Sequence, residues 1–185
     1  MRPIFHIHYE EDVIKIPREI TNNSRKIIIR KNTRGFELDI HTDNLGESIE
    51  SIKSYFDLQM ITFPNSIERS FEIRGILSHE VIVKLLKFSE SLMLQERFWE
   101  SHIILENLWK SSWGNKKSYF QGLILLSASM VQYQMGNFTK SREIYERSKR
   151  LMRLSTINTD LLSIIPEDFS YPISLNYQSM IPDKL

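Results

Sequence analysis

RKIIIRKNTRGFELDIH, residues 25–41, decides the fold class of the first third of this chain. Arg25–Lys31 is β-branched at Ile27, Ile28 and Ile29. Gly35–His41 alternates, with Phe36, Leu38 and Ile40 on one face and Glu37 and Asp39 on the other. Alternation with a period of two belongs to a strand with one face turned to a core. The polar run Lys31-Asn32-Thr33-Arg34-Gly35 ends in glycine, so the two segments form a predicted hairpin.

Outward from the hairpin the same grammar continues. Upstream, Pro3–Tyr9 sets Ile4, His6 and His8 against Phe5, Ile7 and Tyr9, and Asp12–Asn23 has room for a short helix limited by Pro17. Downstream, Asn44 or Gly46 starts a helix carrying Ile49, Ile52, Tyr55 and Phe56. Leu58–Phe63 is a short strand stopped by Pro64. The order β, short α, β, β, α, β predicts a small mixed-sheet domain of ferredoxin-like type over residues 1–75. Pro64–Gly75 is its predicted linker to the remainder of the chain.

From Ser78 the period changes to 3.6. Helices are expected at about 78–95, 97–112, 117–135 and 138–154. The third is apolar nearly all round, which suits the centre of a bundle, and Gly136-Asn137 is its expected stop. The fold class is therefore α+β: a small sheet domain (1–75), an all-α antiparallel helical bundle (76–154) and an extended tail (155–185). The tail holds Pro166, Pro172 and Pro182 among Ile, Leu, Phe and Tyr. It is too apolar for a solvated linker and is expected to pack on the bundle or a partner.

Composition narrows the chemistry. The 185 residues contain no cysteine, so disulfides, thiolate zinc sites and thiol catalysis are excluded. The absence of cysteine, of an apolar leader and of a long apolar run favours a cytoplasmic protein without a membrane span. Net charge is +1, with no global pull toward polyanions. No Gly-rich phosphate loop or nucleophile elbow occurs.

Trp99, His102, Glu106, Trp109 and Trp113 are spaced 3, 4, 3 and 4 apart and share one helical stripe. Glu100, His102, Glu106 and Trp109 make a candidate polar pocket. Glu106 could orient His102 for acid–base work, or the two could ligate a metal with Glu100 completing the set. The alternative is a structural polar pair satisfied inside the bundle. On the hairpin, Arg25, Lys26, Arg30, Lys31 and Arg34 form a candidate basic patch. Arg34-Gly35-Phe36 is similar to the start of an RNA-binding strand motif, which Glu37 and Asp39 then break. A solvated edge that resists aggregation explains the same residues. His6 and His8, two apart on one strand, could bind metal, but read more simply as a solvent-side pair.

Two blocks carry a family resemblance. Phe98-Trp99-Glu100-Ser101-His102, continuing to Glu106 and Trp109, is one. Phe120-Gln121-Gly122-Leu123-Ile124, with Gly136-Asn137 beyond it, is the other. Together they resemble the helical family known as domain of unknown function 309, over about residues 80–154. The resemblance implies an all-helical bundle and no agreed activity. The family typically has an acidic residue directly after the His, where this chain has Ile103. It often has a His late in the next helix, where this chain reads Val131-Gln132-Tyr133. Both departures count against an enzyme.

Three functional readings are open. The first is a non-enzymatic binding or scaffold module acting through the helical bundle, with a homo-oligomer as its expected state. The second is a metal-dependent or acid–base enzyme centred on His102 and Glu106. The third is an RNA-associated module using the hairpin. No cofactor, metal identity or small ligand is specified by the sequence.

Overall fold

The computed structural model describes residues 2–10, 14–22, 24–63 and 77–156. The predicted linker at Pro64–Gly75 and the expected packing of the tail beyond residue 156 lie outside the described residues. The chain divides into two compact units, residues 1–67 and 68–185.

The first unit runs β1 (Ile4–His8), α1 (Arg18–Asn22), β2 (Lys26–Asn32), β3 (Gly35–His41), α2 (Leu45–Tyr55) and β4 (Asp57–Thr62). The sheet order is β2-β3-β1-β4, the split-βαβ arrangement of ferredoxin-like domains. Every neighbouring pair is antiparallel, so the expectation of a mixed sheet is corrected. The reason is topological: β1 and β2 run parallel but β3 lies between them, and β1 likewise separates β3 from β4. One sheet face buries Phe5, Ile7, Phe36, Leu38 and Ile40 with Ile20 of α1 and Ile52 of α2. At about 1.5–3 kcal/mol for each fully buried large apolar side chain, this cluster dominates the unit's stability.

Two local devices fix the hairpin and the second helix. The β2–β3 turn is only Thr33-Arg34, tighter than the five-residue run the sequence suggests, and Asn32 Oδ1 accepts from the Arg34 amide at 2.9 Å. Gly35 comes next at φ 145°, and a Cβ there would sit 2.1 Å from the Ile7 carbonyl oxygen. No side chain fits between β3 and β1 at that point. Asn44, not Gly46, caps α2, its side chain accepting from the Glu47 amide at 3.2 Å.

The second unit contains α3 (His79–Leu94), α4 (Phe98–Lys110), α5 (Gly114–Gln134) and α6 (Phe138–Thr156), each packed on the next. Ser78 caps α3, as its sequence suggests. α3 ends with Glu96 at φ 59° while the Arg97 amide donates to the Leu92 carbonyl at 2.9 Å. Gly136 at φ 77° ends α5 the same way, with the Asn137 amide donating to the Gln132 carbonyl at 2.9 Å. α5 begins three residues before its expected start, because Gly114 at φ 59° turns the chain directly from Trp113 into the first helical turn. α5 is the buried centre, contributing Phe120, Leu123, Ile124 and Leu126. α6 approaches it closely through small residues. Ser148 Oγ donates to the Gly122 carbonyl at 2.8 Å, and Ser141 Oγ to the Ser129 carbonyl at 2.8 Å. A Cβ on Gly122 would lie 2.5 Å from Met152 Cγ.

Candidate functional site

The aromatic stripe forms on α4 as its spacing requires. Trp99 and His102 stack with ring centres 5.5 Å apart and planes 8° from parallel. His102 Nδ1 lies 3.3 Å from the Ile124 carbonyl of α5. A carbonyl only accepts, so Nδ1 carries the proton and Nε2 is the nitrogen left for exchange. Nε2 lies 3.5 Å from Glu106 Oε1. The His102 side chain is 17% exposed and that of Glu106 41%, so the pair sits at the rim of the unit. One turn further, Lys117 Nζ lies 4.4 Å above the Trp109 ring, and Trp113 is 61% exposed. Trp99 and Trp109 lie on α4 and Trp113 follows it, extended, as the residue before α5, and none of the three is buried.

Glu100 does not join this group. Its carboxylate is 1% exposed and receives both arms of Arg97, Nε and Nη2 at 2.6 Å each. On a helix, positions two apart point about 200° away from each other, so Glu100 cannot complete a set with His102. It clasps the first turn of α4 instead. Among the described residues no third imidazole or carboxylate joins His102 and Glu106.

The basic hairpin patch also loses its centre. Arg25, Lys26, Lys31 and Arg34 are solvent-facing, with Arg25 paired to Asp43 at 2.7 Å. Arg30 is buried at 1% exposure, because its register places it opposite Glu37 on the sheet face away from the apolar core. Its Nε donates to Glu37 at 2.8 Å and Nη1 to Asp39 at 3.1 Å. Phe36 is fully buried, edge-on to Tyr9 and Phe56 at 5.4 Å each, and offers no face to a base.

Around Arg30 lies a polar network that alternation alone does not reveal. Arg2 grips Asp39 with Nε at 2.8 Å and Nη2 at 2.6 Å. His6 is buried, not a solvent-side partner of His8. Its Nε2 lies 3.0 Å from Thr62 Oγ1 and its Nδ1 3.4 Å from Glu37 Oε1. His8 is exposed, its Nδ1 2.9 Å from the Arg34 carbonyl. Burial by itself would raise the Asp39 carboxyl. The hydrogen bond from Arg2 and the positive charges of Arg30 and Arg2 outweigh it and hold Asp39 below the usual carboxylate value. Two guanidiniums, Arg2 and Arg30, face two carboxylates, Glu37 and Asp39, on this side of the sheet.

The outer face of α6 is the feature that motif reading passes over. Ser141, Tyr145, Ser148 and Met152 are buried, while Lys140, Arg142, Arg147, Lys149, Arg150 and Arg153 are exposed. Its signal in the sequence is charge counted along one helix, not a motif.

An α+β chain with four helices among the described residues of its second unit, and a half-exposed tryptophan–histidine stripe on one of them, is the class defined by these features. Residues 87–144 match the family described as Domain of unknown function (DUF309), which confirms the resemblance carried by the Trp99–Trp109 and Phe120–Ile124 blocks. No curated protein and no solved structure matches the chain.

Proposed function

We propose that this protein is a non-enzymatic binding module acting through its helical unit, cytoplasmic and self-associating, with the α4 stripe as the contact surface. The observation that carries the proposal is the accessibility of Trp99 and Trp109 on α4 and of Trp113 just beyond it. Tryptophan concentrates contact energy at protein interfaces, because a large rigid ring is buried there at little entropic loss. Lys117 over Trp109 and the carboxylate of Glu106 add a polar rim. Light scattering across a concentration series tests this reading. The parent is expected as a dimer or larger, and Trp109→Ser with Trp113→Ser as a monomer of unchanged helicity. A parent that stays monomeric at all concentrations would sink the self-association.

A second reading has one observation in its favour. Proton placement on His102 Nδ1 leaves Nε2 directed at Glu106, and a spacing of 3.5 Å between the two ligand atoms suits joint ligation of one ion. Calorimetric titration with zinc tests it. A stoichiometric exotherm lost in His102→Asn would favour the metal reading over the binding module.

A further inference from the structure

Charge in the helical unit is unevenly distributed. From Asn107 to Thr156 the sequence carries nine Lys and Arg and two Glu, a net +7 within a chain of total +1. Six of those cations project from α6. Lys149 lies beside a carboxylate, Glu146, at 2.7 Å, whereas among the described residues Lys140, Arg142, Arg147 and Arg150 are in no ion pair. The first turn of α5 adds Lys116 and Lys117, with no acidic residue and no side-chain cap.

We infer that the outer face of α6 is a second binding surface, and that its occupant is the phosphate backbone of a nucleic acid. Four properties select that occupant. Between Thr139 and Arg153 every exposed side chain is polar, and the exposed apolar side chains of α6, Phe138 and Leu154, stand at its two ends, so the middle of the surface has no apolar anchor for a protein hot spot. A membrane interface also needs an apolar face to insert, and the apolar face of α6 is already buried against α5. Four of the six cations are arginines, whose fork matches phosphate oxygens. From Arg142 to Arg153 the helix rises about 17 Å, which spans about five phosphates of one strand at ~3.4 Å each. Contacts of this kind hold a backbone without reading bases. The six cations of α6 are no part of the α4 stripe, and the inference does not depend on self-association.

The test is fluorescence anisotropy of the full chain with a labelled 20-nucleotide single-stranded RNA and a duplex of the same length, across a salt series. Binding is expected to weaken steeply with salt. Arg142→Glu, Arg147→Glu and Arg150→Glu together should lower affinity on the order of tenfold or more and reduce the salt slope by ~3. Circular dichroism checks that the variant folds, and the Gln versions of the three changes give a milder loss in the same direction if it does not. Vesicles containing phosphatidylserine and poly-glutamate are run beside the nucleic acids. Equal binding to either would overturn nucleic acid as the occupant. Loss of RNA binding on Arg25→Glu with Arg34→Glu, but not on the α6 changes, would overturn the assignment to α6. Absence of binding to every probe at low salt would overturn the surface altogether.

Discussion

Asp39 shows how far a single side chain departs from its strand pattern. It lies on β3 opposite the apolar face, where alternation suggests solvent, yet it is fully buried between Arg2 and Arg30. Its folded value is depressed, so its contribution to stability is present above the unfolded value of about 3.9 and is lost as pH falls through the lower folded one. Urea titrations at pH 7 and at pH 3 should show this loss, and Asp39→Asn should flatten the difference. The same substitution removes the carboxylate that Arg2 and Arg30 share and is expected to lower stability at pH 7 by about 3–5 kcal/mol. Glu106 behaves differently, because its side chain is 41% exposed and 3.5 Å from His102. Glu106→Gln should change the melting temperature little, within about 1 kcal/mol, as exposed pairs do. A loss of several degrees would mean that the pair is structural after all.

At the scale of elements, the helices and strands are legible in the sequence because their signals are local. Ser78 before an apolar period, Gly136-Asn137 after one, and the alternation of Phe36, Leu38 and Ile40 each act within a few residues. What is not legible depends on partners distant in sequence. Arg30 reads as a surface cation because Glu37 and Asp39, which bury and balance it, come from the neighbouring strand. Glu100 is the exception, since its partner Arg97 stands only three positions before it, at a spacing that pairs side chains on a helix. Phe36 reads as a base-stacking aromatic because Tyr9 and Phe56 lie 27 and 20 positions away along the chain. The two helix stops of the second unit give a paired prediction. Glu96 occupies a left-handed conformation that glycine tolerates better, so Glu96→Gly should raise stability by about 1 kcal/mol, and Gly136→Ala should lower it by a similar amount. Thermal melts of both variants check the signs. Gly122→Ala should cost more than an ordinary helical Gly→Ala change gains, because Met152 must move from a 2.5 Å contact.

For the whole molecule, charge and strand order matter more than any one group. On α6 six Lys and Arg face only Glu143 and Glu146, and this net +4 opposes contact between two copies through that face, so self-association belongs elsewhere, as on the α4 stripe. Raising salt should therefore strengthen self-association while weakening nucleic-acid binding, and sedimentation at low and high salt separates the two effects. The sheet order β2-β3-β1-β4 has its own outcome for the growing chain. β1 is made before the other three, yet it is a strand with neighbours on both sides, and its partner across Ile4 is Thr62. During synthesis this strand must wait, unpaired on one edge, until the ribosome has delivered β4. The hairpin of β2 and β3 can close on its own meanwhile, so the slow step in folding of this unit is the late capture of β4 by a strand that has been available from the start.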